Sequence, residues 1–274
     1  MRIVEKVNEM RQLSRELRTG RGLLGFVPTM GALHEGHLSL VRRARSECAA
    51  VAASIFVNPL QFGPNEDFVQ YPRTFDGDCD RLASEGVVLL FAPSASEMYP
   101  GDAVTKVSVE GVSDRLDGAS RPGHFTGVAT VVTKLFHVVN PDRAYFGQKD
   151  AAQLAVLRQM VRDLNFPIEI VGCPIVRDAD GLALSSRNKY LSATERVRAL
   201  TLRRALLGIE AMIAGGERAS ERLVQEGMRI LHAESGVKPD YVAVVNAQTL
   251  LPVTRVEPET LVAVAAWVGE TRLI

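Results

Sequence analysis

Apolar residues at Val7, Met10, Leu13 and Leu17 recur at helical spacing ahead of Gly20, so the chain is expected to open with an amphipathic helix that stops at a glycine. The period then changes. Residues 22–30 form an apolar run of strand length, a glycine-bearing turn follows, and residues 38–49 read as a helix. Residues 49–57 are apolar throughout but for Ser54, as a strand buried on both faces should be. These segments make a β-α-β unit. Further strands are expected at 87–92, 143–146 and 168–176, separated by helices at 76–84, 127–139 and 150–164. In the second of these helices Val128, Val131, Val132, Leu135, Phe136 and Val139 hold a 3.6-residue period. Strands alternating with helices imply a parallel sheet covered on both faces.

After residue 176 the pattern gives way to a polar, turn-rich stretch over 177–188. A capping box, Ser192 with Glu195, then starts a long helix to about residue 214. A helix at 220–233 and strands at 241–245 and 261–268 complete a small tail. The expected fold is α/β: a Rossmann-like parallel-sheet N-terminal domain over 1–176, with a smaller α+β C-terminal domain over 177–274. No internal repeat or low-complexity segment interrupts it.

Composition narrows the function more than the fold. The 274 residues are 46% hydrophobic and 23% charged, as in a globular protein with an ordinary core. Thirty-two basic and 32 acidic residues cancel, so no global field recruits nucleic acid or an anionic membrane. The longest apolar runs, 87–93 and 261–268, fall far short of the roughly 20 residues of a membrane span. The N-terminus carries charges throughout and lacks a signal-peptide pattern, which places the protein in the cytoplasm. Cys48, Cys79 and Cys173 are scattered and without a C-x-x-C pair, which fits reduced, inert thiols.

The richest stretch runs from Pro28 and Thr29 through Met30, Gly31, Ala32, Leu33, His34, Glu35, Gly36 and His37, between the first strand of the β-α-β unit and its helix. Ligands of open parallel sheets bind there, because strand C-termini and helix N-termini converge on a crevice. Free N–H groups and the positive helix end favour an anion, and Gly36 would let a phosphate approach the backbone. Gly31 and Gly36 have P-loop spacing, but His37-Leu38 stands where Lys-Ser/Thr would be. Gly31 does not begin a G-x-G-x-x-G, and His34-Glu35-Gly36-His37 is one residue short of the zinc motif H-E-x-x-H. What remains is H-x-G-H: two imidazoles at a helix N-terminus, able to donate to phosphate oxygens as charge builds on a departing pyrophosphate.

A second signal, Leu184-Ser185-Ser186-Arg187-Asn188 at the domain junction, offers two hydroxyls and a guanidinium to the phosphates of a nucleotide held between domains. A third, Gly147-Gln148-Lys149-Asp150, ends a strand and opens a helix. Lys149 supplies a point charge there, and Asp150 is both helix cap and candidate ligand. Asn58 and Gln61 follow the second strand of the β-α-β unit, and Gln153 lies one turn past Lys149. Their amides suit a small polar ligand. His124 is a further candidate for the cleft, whereas His137 and His232 read as structural. Asp76, Asp78 and Asp80 read as a solvated helix start and not a metal site.

In order, H-x-G-H, S-I-F-V-N-P-x-Q-F, Y-P-R-T, R-P-x-H-F-x-G-V, F-G-Q-K-D and S-S-R-N resemble the pantothenate synthetase (pantoate-β-alanine ligase) family over residues 26–191. H-x-G-H alone points only to the nucleotidylyltransferase superfamily, with Ser185-Ser186-Arg187 similar to its mobile loop. The resemblance implies ATP-dependent joining of (R)-pantoate to β-alanine through a pantoyl adenylate, with pyrophosphate and AMP released. The alternative it leaves is a nucleotidyltransferase that adenylates a phosphorylated acceptor and stops. By position, the resemblance implies that residues 30–37, Gly147, Gln148, Lys149, Asp150, Val176 and Leu184 to Arg187 hold ATP. It assigns His37, His34, Lys149, Ser185, Ser186 and Arg187 to catalysis, His37 as proton donor. Gln61 and Gln153, with Asn58, Tyr71 and Arg121, would hold pantoate, and Gln61 would also lie near β-alanine. It implies Mg2+ carried in by ATP, the protein ligands of the ion being left open, and a homodimer. Leu184 stands where the family often has methionine, a volume-conserving exchange.

Overall fold

The computed structural model describes residues 1–64 and 66–274, residue 21 by its backbone only. The first region comprises β1 (Arg2–Val4), α1 (Val7–Arg21), β2 (Leu24–Thr29), α2 (Glu35–Glu47), β3 (Ala50–Ile55), α3 (Phe75–Ser84) and β4 (Leu89–Phe91). The short helices α4 (Ala95–Met98) and α5 (Asp117–Ser120) lead into α6 (His124–Val139), β5 (Arg143–Gly147), α7 (Ala151–Asp163) and β6 (Glu169–Cys173). The second comprises α8 (Ala193–Ala214), α9 (Ser220–His232), β7 (Val237–Asn246), β8 (Thr260–Val268) and β9 (Thr271–Leu273).

The expected parallel sheet is present, in the order β1-β4-β3-β2-β5-β6, all neighbours parallel. α1, α6 and α7 pack one face through Met10, Phe136 and Leu157; α2 and α3 pack the other through Val41, Ala44 and Leu82. From β2 the chain winds outward to β3 and β4, then crosses back to β5 and β6, so the winding reverses between β2 and β5. These two strands pair only at Gly25↔Arg143 and Phe26↔Ala144. Beyond that they diverge, and their C-terminal ends open a crevice at the point where such folds hold ligands.

Helix ends differ from the sequence pattern in ways that bear on the site. α1 continues through Gly20 and stops at Gly22, whose φ is 94°. α2 begins at Glu35, three residues before the expected start, because His34 caps it; Gly36 and His37 therefore lie in its first turn. The Ser192–Glu195 capping box forms as expected, the Ser192 N–H donating to Glu195 at 2.9 Å. The tail is a β7-β8-β9 antiparallel sheet under α8 and α9, with its own apolar core around Leu202, Ile209, Leu223 and Val264. Val245 and Leu250 instead join the core of the first region. Neither β1 nor β9 was legible as a strand: each is three residues long, and each lies at the edge of its sheet. No described helix is long and apolar enough to cross a membrane.

Candidate active site

The site starts where β2 ends. Gly31 and Ala32 are both left-handed, with φ of 84° and 51°, a conformation that costs a non-glycine residue roughly 1–2 kcal/mol. Asp78 of α3 holds the turn. Its two carboxylate oxygens accept the N–H groups of Ala32 at 2.8 Å and Leu33 at 2.9 Å, and it also accepts the Thr74 hydroxyl at 3.0 Å. The three aspartates expected as a solvated helix start are therefore split: Asp76 and Asp80 are exposed, whereas Asp78 is buried and structural. The amides of Ala32 and Leu33 are consumed by Asp78, beneath the cleft and not in it. From across the cleft the Ser186 hydroxyl donates to the Ala32 carbonyl at 3.1 Å.

The two motif histidines stack with ring centroids 4.1 Å apart. The His34 N–H donates to His37 Nδ1 at 3.3 Å, so the His37 proton resides on Nε2, as a donor for the cleft that His37 lines. Burial, then the neighbouring His34, holds the His37 pKa down to about 3; burial and the Lys149 charge hold His34 down to about 4. Both rings are neutral at pH 7 and act as hydrogen-bond donors or acceptors, not as cations. Gly36 lines the cleft, and a Cβ there would also lie 2.9 Å from the His34 ring. His34 Nδ1 is buried with no protein partner.

Between the β2 and β5 ends lies a cleft of about 240 Å³. Met30, His34, Gly36, His37, Gly147, Lys149, Asp150, Val176, Leu184, Ser185, Ser186 and Arg187 all line it, as do Gln61, Tyr71, Arg121 and Gln153. Six expected residues do not: Gly31, Ala32 and Leu33 lie beneath it, Glu35 points outward to pair with Arg42, Gln148 is exposed beside it, and Asn58 is the sixth. Asn58 is buried under the floor. It donates to Gly127 O and to Gln61 Oε1, each at 3.1 Å, and accepts the Tyr99 hydroxyl at 2.8 Å. It thus orients Gln61 without reaching the cleft.

Asp150 caps α7 by position but makes no side-chain capping bond, which leaves its carboxylate for the cleft, 3.6 Å from Lys149 Nζ. Both cleft arginines are already paired. Arg121 forks onto Glu66 at 2.8 and 2.5 Å, and Arg187 onto Asp67 at 3.0 and 2.8 Å. Sequence reading missed this carboxylate pair, which sits between Q-F and Y-P-R-T with no spacing cue. His124 does line the cleft. Its Nδ1–H donates to the Gln61 carbonyl at 2.7 Å and Nε2 accepts from Arg121 at 2.9 Å, with burial and Arg121 lowering its pKa to about 4. Phe56, Val128, Val131 and Val132 make the cleft's apolar wall. The three cysteines are free thiols, Cys48 and Cys173 buried and shifted upward by that burial. No group of three His, Cys, Asp or Glu able to hold a metal occurs among the described residues.

A doubly wound sheet, an H-x-G-H helix start at its switch point and a facing S-S-R-N loop define a nucleotide-dependent enzyme of the H-x-G-H class. The family model described as pantoate-beta-alanine ligase matches residues 2–274, and the chain belongs to that family. It is an ATP-dependent ligase that condenses pantoate with β-alanine to pantothenate. The pantothenate synthetase of Acidobacterium capsulatum is 59% identical, over 100% of this chain and 95% of that protein. The pantothenate synthetase structure from Thermus thermophilus superposes with a TM-score of 0.95 at 50% identity, covering 100% of this chain and 97% of that one. The Francisella tularensis pantoate-beta-alanine ligase, complexed with beta-gamma ATP and beta-alanine, gives 0.81 at 34% identity, covering 100% and 95%.

Proposed function

We propose that the condensation runs in this cleft through a pantoyl adenylate. The pantoate carboxylate attacks the α-phosphorus of ATP, the bond to the bridging oxygen breaks, and pyrophosphate leaves. The β-alanine amine, having lost a proton, then attacks the acyl carbon and expels AMP. A carboxylate cannot expel hydroxide at neutral pH, whereas a mixed anhydride carries a good leaving group. The residues' work is positioning and stabilisation of charge on phosphate oxygens.

The observation that carries this reading is the His34 N–H bond to His37 Nδ1, which leaves a neutral Nε2–H donor at the helix start, on a ring lining the same cleft as Lys149 and Ser185 to Arg187. His37, His34, Lys149 and the Ser185–Arg187 loop bind the phosphates, with Met30, Gly147, Asp150, Val176 and Leu184 around the nucleotide. Burial lowers the His37 pKa to about 3, so the ring enters the reaction neutral, with its Nε2–H offered to the phosphates. Gln61, Gln153 and Arg121 hold the polar groups of pantoate, and Phe56, Val128 and Val131 cover its geminal methyls. Tyr71 backs the loop, and Asn58 orients Gln61. Asp150 would supply a carboxylate to Mg2+ carried on the ATP phosphates, and the ion would offset charge on the leaving pyrophosphate. Residues 177–274 act as a lid domain over 1–176. The assembly is a cytoplasmic homodimer, and the exposed stretch around Val104, 88% accessible, is a surface such pairing would cover.

The test is transfer of label: with pantoate carrying 18O in its carboxylate, the AMP formed during turnover carries one 18O. Unlabelled AMP would mean that no acyl adenylate forms.

A further inference from the structure

The Arg272 guanidinium, on β9, sits between two carboxylates. Nη2 lies 2.7 Å from Asp117 Oδ1 and 2.7 Å from Asp240 Oδ2, and Nε donates to the same Asp240 oxygen at 2.9 Å. The Arg272 and Asp117 side chains are 13% and 10% exposed, so the pair is largely shielded from salt. The Tyr241 hydroxyl donates to Asp117 at 3.3 Å and the Ser120 hydroxyl to Asp240 at 2.8 Å. Arg115, two residues before α5, donates to the Thr249 carbonyl at 2.9 Å. The antiparallel sheet thus grips α5 at several points.

Packing two layers together does not require this arrangement. A buried ion pair is often no more stabilising than apolar side chains of similar volume, while removing one partner strands a charge. The position of α5 in the chain gives the grip a second consequence. Immediately after its last residue comes Arg121, whose guanidinium reaches the Gln61 carbonyl at 3.3 Å and His124 at 2.9 Å, and His124 bonds that same carbonyl at 2.7 Å. Arg272 itself lines an annex of the cleft together with Arg121, His124, Lys149 and Gln153.

We propose that Arg272 and Asp117 are positioning residues for the acid substrate: the C-terminal sheet, through this pair, sets where Arg121 and His124 stand against Gln61. The inference rests on the reading that the Gln61–Arg121 wall holds pantoate. Arg272→Gln and Asp117→Asn are each expected to raise the KM for pantoate about fivefold or more, with the KM for ATP within about twofold. The double variant should be no worse than the worse single, since one interaction is lost in all three. Arg272→Lys, which keeps the charge but not the fork, should recover part of the effect. If Arg272→Gln does not fold, Ser120→Ala removes one bond of the same cluster and should raise the pantoate KM in the same direction.

Gln61→Ala is the reference. A raised pantoate KM in Gln61→Ala, but only a lowered Tm in the cluster variants, would overturn the inference alone and leave the pair a structural tie. An unchanged pantoate KM in Gln61→Ala would overturn the reading of the wall, and the inference with it.

Discussion

The backbone N–H of His34 donates to Nδ1 of His37, and this one 3.3 Å bond fixes which nitrogen of the second motif histidine carries its proton. The helix start thereby acquires a neutral side-chain donor in addition to its free amides. Such a donor stabilises charge on a departing phosphate without the desolvation cost of an ammonium. His37→Ala is expected to lower turnover on the order of a hundredfold, as loss of one preorganised oxyanion donor does elsewhere. Steady-state kinetics at saturating substrates checks this; unchanged turnover would remove His37 from the chemistry.

The depressed histidines also predict acid sensitivity of the fold. His34, His37 and His124 have folded pKa values of about 4, 3 and 4, below the unfolded value near 6.5. Below pH 6.5 the unfolded chain binds more protons than the folded one, so the stability they contribute is fully present above that pH and is lost on acidification toward 4. Each contributes up to about 1.4 kcal/mol per pH unit in that window. Urea denaturation at pH 7, 6 and 5 should show the midpoint falling before the carboxylates titrate. A flat midpoint over this range would contradict neutral burial of the three rings.

Gly36→Ala separates the helix from the site. Alanine is favoured over glycine in a helix by up to about 1 kcal/mol, so stability should hold or rise. The new Cβ, however, falls 2.9 Å from the His34 ring and displaces it. Turnover is expected to drop at least tenfold, as misplacement of a catalytic group by a fraction of an ångström does. Thermal melts and kinetics on one preparation test both halves.

Asp78 carries the opposite signature. Asp78→Ala leaves the Ala32 and Leu33 amides without their acceptor and releases a left-handed turn, a loss of about 2–4 kcal/mol. Asp76→Ala and Asp80→Ala, at exposed positions, should stay within about 0.5 kcal/mol of the parent. Denaturant midpoints for the three variants would contradict the assignment if they moved together.

These residues also show what the sequence could and could not convey. The alternation of buried strands with helices is a local property, legible from Val27, Val51 and Leu90 alone. H-x-G-H was legible as a site because its residues are contiguous and sit where a strand meets a helix. The grip of Asp78 on Ala32 and Leu33 joins segments some 45 residues apart, and Glu66 and Asp67 reach Arg121 and Arg187 across still longer separations. No spacing rule announces such pairs. Nor does the sequence show that a Cβ at Gly36 would meet the His34 ring. β9 was missed because three residues carry too little pattern, yet it delivers Arg272 to Asp117.

Adenylation activates the acid, in the proposed sequence, before the amine takes part. The most direct measurement is exchange of labelled pyrophosphate into ATP with pantoate present and β-alanine absent. Exchange should depend on pantoate and fall sharply in His37→Ala. No exchange from an enzyme that binds both ATP and pantoate, or exchange only once β-alanine is added, would contradict it.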